Sequence, residues 1–340
     1  MKKIALVGVG FMGKTHLGIW SGLAGARVEA LCDVRPEALE LRNPQAEGNI
    51  KTAAAAVDLS AVRRFTDFDS MLQEGGFDIV DICLPTYLHA EHSVKALEKG
   101  FHVFCEKPLA LTAGEADGIV QAVRRTGRLM SVGQCLRYWP AYAEIKRLLD
   151  SGKYGRVRAA EFARFSNPPT WGWDGWLMDS RRSGNAALDM HVHDVDMVLF
   201  LFGPPGSVRS VGDSEKDGGL SHITTVYSYP DKAVSSTGGW TCSKSFGFNM
   251  RAHLVLEKAT VELDFRKSPT VMVFPDDGEA YALPLAEGDG YFYELRAFLA
   301  GVEAGKLETT VTVETAAQSV KLCLEEIRSA REGKERKIRP

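Results

Sequence analysis

The chain has 340 residues, 45% of them hydrophobic and 25% charged, with a net charge of −3 at pH 7. That length suits two domains with an ample core each, and the composition excludes disordered, collagen-like and disulfide-rich classes. The near-balanced charge carries no basic stripe for nucleic acid, and no apolar run is long enough to span a bilayer.

Met1, Lys2 and Lys3 ahead of an apolar run imitate a signal peptide. The run is short, passes directly into a glycine loop and lacks a small-residue cleavage site, so it reads as a strand. In chain order, apolar runs at 3–9, 28–32, 79–84, 102–105 and 129–132 predict strands buried on both faces. Helical spacing fills the intervals at 12–24, 36–56, 88–99 and 113–126. Pro36 suits a first helical turn, Gly100 and Gly127 suit positions just past helix ends, and the alanine run at 53–56 is merely helix-favouring. Strand and helix alternating over short connections predict a parallel, doubly wound sheet.

Past Tyr138-Trp139-Pro140 the rhythm changes. A helix at 141–151 and a strand at 156–164 precede an apolar-periodic helix around Asp189. Strands follow at 208–211, 222–229, 233–241, 249–256, 260–265 and 271–274, with turn signals such as Asp276-Asp277-Gly278, and helices at 291–304 and 313–333 close the chain. The expected architecture is an α/β Rossmann domain over 1–135 and an α+β domain over 136–340 with a large, mostly antiparallel open sheet. Cys32, Cys83, Cys105, Cys135, Cys242 and Cys323 show no Cys-x-x-Cys spacing and sit mostly in apolar runs. They read as small buried hydrophobes of a cytoplasmic protein, with no zinc or disulfide framework.

Gly8-Val9-Gly10-Phe11-Met12-Gly13 follows the first strand and opens the first helix. The glycines allow a tight turn and close approach of a pyrophosphate to backbone N–H groups at a helix N-terminus. Asp33, twenty residues beyond Gly13 at the end of the second strand, suits an adenosine ribose and would repel a 2′-phosphate. Arg35 is either a solvated loop charge or a residue able to receive that phosphate. NAD is the expected cofactor, with NADP possible.

The stretch Ser183-Gly184-Asn185 through Asp189, His191, His193, Asp194 and Asp196 places titratable groups where a helix usually buries hydrophobes. Asp189 and His193, at i and i+4, share a face of a regular helix, and a carboxylate beside an imidazole suits general acid–base chemistry near neutral pH. Histidines at i and i+2 converge on a metal from a strand, not from a helix. Ala187, Leu188, Val192, Val195, Leu199 and Phe202 follow helical spacing, so no metal is expected. Glu106-Lys107-Pro108 ends the fifth strand at the carboxyl edge of the sheet, where such folds bind ligands. A lysine there either hydrogen-bonds a substrate hydroxyl or stands in solvent.

These motifs, with Pro85-Thr86-Tyr87-Leu88-His89, the glycine loop continuing to His16, and Gly133-Gln134-Cys135-Leu136-Arg137-Tyr138, resemble the Gfo/Idh/MocA family of oxidoreductases in order and over essentially the full length. The resemblance implies hydride transfer between a secondary alcohol of a sugar, inositol or related polyol and NAD(P). It implies Lys107, Asp189 and His193 as catalytic residues, with His193 taking the hydroxyl proton and Lys107 bonding the same oxygen, or these two roles exchanged, and Asp189 orienting the substrate or the Lys–His pair. It also implies cofactor contacts from Gly8, Gly10, Phe11, Met12, Gly13, Asp33, Arg35, Pro85, Thr86, His89, Glu106 and Lys107. A homodimer or homotetramer through the C-terminal sheet is expected on the same ground.

Two positions depart from the family pattern: Ser183-Gly184-Asn185 stands where Gly-Gly is common, and His191 stands where a glycine often sits. His191 is expected to line the substrate pocket or support it from behind. Trp171, Trp173 and Trp176 form an aromatic loop suited to sugar faces or to packing, with Trp176 the preferred substrate contact. Arg137 either contacts substrate or braces the sheet edge. The rival functions are an NAD-dependent glycoside hydrolase of the same family and a non-catalytic dinucleotide–sugar sensor.

Overall fold

The computed structural model describes residues 1–41, 60–307 and 310–338. It divides into two compact units: Met1–Cys135 with Trp171–Trp176 and Tyr291–Gln318, and Leu136–Thr170 with Leu177–Gly290 and Ser319–Pro340. Where the sequence suggests 1–135 and 136–340, the first unit thus takes in two later segments.

The first unit opens with β1 (Lys2–Val7), α1 (Phe11–Gly22), β2 (Ala26–Cys32) and α2 (Pro36–Leu39). The remainder of the helix expected over 36–56, with the alanine run, lies outside the described residues. There follow β3 (Arg63–Phe65), α3 (Phe68–Glu74), β4 (Ile79–Ile82), α4 (His89–Glu98), β5 (His102–Cys105), α5 (Ala113–Thr126) and β6 (Met130–Val132). The strands make one parallel sheet in the order β3-β2-β1-β4-β5-β6, whose reversal between β1 and β4 is where doubly wound folds bind dinucleotides. β3 escapes sequence reading because its three residues, Arg-Arg-Phe, carry no apolar run. A capping box starts α5: Glu115 N–H donates to Thr112 Oγ1, and Thr112 N–H to Glu115 Oε2.

The second unit holds α6 (Pro140–Asp150), β7 (Val157–Ser166), α7 (Ser180–Ser183), α8 (Ala186–Asp189) and α9 (Val192–Phe202). Then come β8 (Ser207–Ser214), β9 (Leu220–Ser228), β10 (Ala233–Gly239), β11 (Phe248–Leu256), β12 (Ala259–Asp264), β13 (Val271–Pro275) and β14 (Tyr281–Ala282). α10 (Gly290–Ala304), α11 (Val313–Glu332) and β15 (Arg336–Lys337) close the chain. Nine strands form the second sheet in the order β14-β13-β12-β11-β7-β10-β9-β8-β15. Every pair is antiparallel except β7 with β10. β11 and β12 alternate buried and open residues along their length, as a sheet with one covered face requires. From α10, Leu295, Phe298, Leu299 and Val302 join Ile4, Leu6, Trp20 and Phe104 in one apolar core, which is why this helix belongs with the parallel sheet.

Candidate functional site

The glycine loop is shaped by close backbone approach. A Cβ on Gly13 would lie 1.9 Å from Gly8 O, and one on Gly8, whose φ is +88°, would lie 2.5 Å from Cys83 O. Beside Gly10, by contrast, nothing comes within 4 Å of a Cβ position. The loop is therefore tight where it packs and open where a pyrophosphate would rest on the N-terminus of α1. Asp33, buried at the end of β2, accepts the Val9 N–H through Oδ2 at 2.8 Å and so ties the second strand to the loop. Arg35 covers the same carboxylate with two 2.9 Å bonds, Nε to Oδ1 and Nη2 to Oδ2, and these bonds hold its guanidinium above its ordinary range. The Trp173 ring lies over Arg35 at 5.3 Å. These groups fit NAD: the cradle would take the pyrophosphate and Asp33 the ribose, with Arg35 bonded to the same carboxylate.

Thr86 and His89 are buried rather than displayed. His89 Nδ1 lies 2.7 Å from Pro108 O and Nε2 lies 2.8 Å from Leu84 O, so this ring staples the segment after β4 to the turn after β5. Burial lowers the imidazole's affinity for a second proton. Glu106 is buried too, and its Oε2 accepts the Lys107 N–H at 3.1 Å. Lys107, at the end of β5, keeps partial solvent access.

The aspartate stretch is not the single regular helix its spacing predicts. α7 stops at Gly184, whose φ of +77° places its Cβ position 2.5 Å from Leu188 Cδ2. Asn185 follows at φ +60° and caps α8, its Oδ1 accepting Ala186 N–H at 2.7 Å. This explains the departure at 183–185: glycine avoids the clash, and asparagine tolerates positive φ while capping. At His191 the ladder slips, with His191 N–H bonding Ala186 O at 2.9 Å, five residues back, and Asp194 N–H bonding His191 O at 3.0 Å, three residues back. Asp189 therefore ends α8 and His193 lies in the first turn of α9, so their regular i,i+4 relation is interrupted.

Burial sorts the titratable groups of this stretch. Asp194 takes Arg164 in two 3.0 Å bonds from β7, and Asp196 takes Arg137 in two 2.7 Å bonds and Ser319 Oγ in a third. His191 Nε2 meets Glu326 Oε2 at 2.8 Å, and Thr225 donates to the same oxygen at 3.0 Å. His191 and Glu326 side chains are both 0% exposed. Of the alternatives for each residue, burial matches support from behind for His191, in the interior of its unit at the start of α9, and bracing for Arg137, whose guanidinium is held by Asp196. Asp189 and His193 remain half-buried, as does Trp176. The partners Arg164 and Glu326 carry no local sequence signal; an acid on a helix is matched to a base far away in the chain only by the fold.

Among the described residues, the groups close enough to share a metal ion lie in the first unit: His16 with Asp81 and Cys83, and His16 with Glu106 and Glu294. His191, His193 and Asp194 form no such group. All six cysteines are free thiols. Burial pushes Cys32 up to about 12 and Cys83 higher still, so both stay neutral thiols near pH 7.

Residues 2–134 match the family model described as oxidoreductase family, NAD-binding Rossmann fold, and residues 142–262 match the GFO/IDH/MocA C-terminal domain. The chain is 32% identical over 221 residues to a levoglucosan dehydrogenase of Pseudarthrobacter phenanthrenivorans, covering 61% of this chain and 53% of that protein. It thus spans about half the length of that relative. It is 26% identical over 320 residues to an inositol 2-dehydrogenase of Rhizobium meliloti, 89% of either chain. A levoglucosan dehydrogenase solved with NADH and levoglucosan matches the fold with a TM-score of 0.83 at 19% identity, over 100% of both chains. The glycine cradle with Asp33 and the two matched domains lead to one conclusion: the chain belongs to the Gfo/Idh/MocA family of oxidoreductases, with an NAD-binding Rossmann domain.

Proposed function

We propose that this protein is an NAD-dependent dehydrogenase acting on a secondary alcohol of a sugar, inositol or related polyol. One observation carries the reading: His191, Asp194 and Asp196 are buried, whereas Asp189, His193 and Lys107 each keep partial solvent access. Relatives named as levoglucosan and inositol dehydrogenases support the polyhydroxylated substrate class.

Bound NAD supplies the hydride acceptor at its nicotinamide ring. As the alcohol is oxidised, its C–H leaves as hydride and its O–H proton passes to His193 Nε2 or Nδ1. Lys107 donates a hydrogen bond to the same oxygen and stabilises the negative charge that develops there. Asp189 orients the substrate or the His193 ring. In the reverse direction the same groups return the proton to a carbonyl oxygen.

NAD is favoured by Asp33, and NADP use depends on Arg35 leaving that carboxylate. A homo-oligomer is also proposed: Val211 and Val226, diagonal neighbours on adjacent strands of the open sheet face opposite Thr224 and Arg209, are 65% and 58% exposed, an apolar spot suited to a second copy. Buried free thiols at Cys32, Cys105, Cys135 and Cys323 support a reducing, cytoplasmic setting. No helix among the described residues is long and apolar enough to cross a membrane.

The test is a panel of inositols, aldoses and anhydrosugars assayed for NADH formation, with NADP and aryl glycosides in parallel. Turnover of at least one polyol, with the higher kcat/KM on NAD, is the expected result. Glycoside cleavage without net NADH would replace the dehydrogenase reading with hydrolysis through transient oxidation. Tight NADH binding with no turnover of any kind would leave a sensor.

A further inference from the structure

Beneath the strand ends that carry Lys107 lies a buried line of charge in the first unit. His16, on α1, has its Nδ1 2.9 Å from Asp81 Oδ2 and its Nε2 3.2 Å from Glu106 Oε1. Trp20 Nε1 donates to the same Asp81 oxygen at 2.6 Å. The Nε2 approach to Glu106 is a charge contact rather than an aligned hydrogen bond, since neither atom has a hydrogen-bond partner. The His16 side chain is 0% exposed and that of Glu106 7%. The groups facing the ring are Asp81 and Cys83 from β4 and its end, Glu106 from the end of β5, and Glu294 from α10.

Nδ1 within hydrogen-bond distance of Asp81 and Nε2 within ion-pair distance of Glu106 favour the imidazolium form of the ring. Burial alone would oppose that charge; Cys83 and Asp81, ahead of other influences, hold the imidazole well above its ordinary value. Because Cys83 is itself kept as a neutral thiol, Asp81 is the charge that matters.

Glu106 is held in this place by shape as well. A Cβ on Gly133 would lie 2.8 Å from Glu106 Oε1, so any side chain there would displace the carboxylate. On its other oxygen the carboxylate holds the Lys107 N–H. One residue further, Pro108 O is held by His89. Lys107 is thus presented between two neighbours, each tied to a buried histidine.

We propose that His16 is a positioning residue for Lys107: oriented by Asp81, its imidazolium holds the Glu106 carboxylate, and that carboxylate fixes the backbone that presents the lysine. This rests on the reading of Lys107 as a proton-handling group. A buried ion pair with only a structural role would stabilise the fold without affecting how the lysine reacts.

The test uses the full-length protein without added NAD. Acetic anhydride labelling at pH 8, with mass-spectrometric readout, follows the acetylation rate of Lys107 against the exposed Lys244 in wild type, His16→Gln and Asp81→Asn. Without the His16 cation the Glu106 carboxylate is no longer held against the Lys107 N–H, so the presentation of the lysine alters and its rate changes at least about threefold while Lys244 is unchanged. With a polyol that turns over, His16→Gln also lowers kcat about tenfold with KM within about twofold, the signature of a misplaced reacting group. Glu106→Gln added to His16→Gln restores melting temperature by removing the uncompensated carboxylate but does not restore kcat. An unchanged Lys107 rate in folded His16→Gln overturns the proposal, and if that variant does not fold, Asp81→Asn decides by the same rate. Absence of turnover with every polyol would instead defeat the dehydrogenase reading, leaving the labelling result to stand by itself.

Discussion

Arg164 and Asp194 meet through two parallel bonds of 3.0 Å, with side chains 3% and 0% exposed. The pair joins β7 to the first turn of α9, one residue from His193. Taking one partner away would leave the other charge buried and unpaired, which costs about 3–5 kcal/mol. Asp194→Ala should therefore lower the urea midpoint markedly and the melting temperature by about 10 °C. Replacing both residues together with methionine and leucine should recover most of that loss. Urea denaturation of the single and double variants checks both statements.

Lys107→Met and His193→Gln should each reduce kcat by about 10²–10⁴-fold on whichever polyol turns over. NADH affinity should stay within a few-fold, because the pyrophosphate cradle and Asp33 are untouched. Fluorescence titration with NADH separates loss of chemistry from loss of binding. His191→Gln is the contrast: its partner Glu326 is buried, so the expected loss is stability rather than a selective change in substrate preference.

The bidentate hold of Arg35 on Asp33 predicts a cofactor switch. Arg35→Ala should free the carboxylate for the ribose, keep or tighten NADH binding, and weaken NADPH binding about tenfold. Asp33→Ser should do the opposite, raising NADPH affinity relative to NADH. Titration of both cofactors against both variants reads the ratio directly.

His16 makes stability depend on pH in a defined direction. Its folded pKa lies well above the ordinary value of 6.5, the opposing effect of burial being outweighed by the charge and hydrogen bond of Asp81. A raised value stabilises the fold fully below the unfolded pKa, and this contribution is lost as pH rises through the folded pKa. The stability difference between wild type and His16→Gln should thus be largest near pH 6 and shrink at alkaline pH. Urea midpoints measured at several pH values would contradict this if the difference grew with pH.

Gly184→Ala should unfold the start of α8 or destabilise it by about 1–3 kcal/mol, since φ is +77° and Leu188 occupies the space a Cβ needs. Gly203→Ala, also at positive φ but with nothing within 4 Å, should cost less. Thermal melts of the two variants compare crowding with backbone strain alone.

The sequence by itself determined the parallel sheet and the glycine loop with Asp33. These follow from local rules, apolar runs that make buried strands and glycines that allow backbone to approach a ligand, whereas the candidate set of Lys107, Asp189 and His193 was implied by the family resemblance of the motifs. The short β3 and the return of α10 to the first core were not legible, because three residues carry no period and apolar spacing does not name a partner. Only the tertiary structure sorted the charges. Asp194, Asp196 and His191 look like Asp189 and His193 in sequence, and they differ in burial: they lie in the interior of the unit, where Arg164, Arg137 and Glu326 arrive from distant segments to meet them, while Asp189 and His193 are half-buried. The slip in the ladder at His191 likewise depends on packing and not on propensity. Glu106 and His16 belong to motifs that the sequence displays, but their pairing through a buried charge contact is a property of three strands and a helix brought together. Burying a charge is unfavourable without a partner, and only the fold supplies the partner.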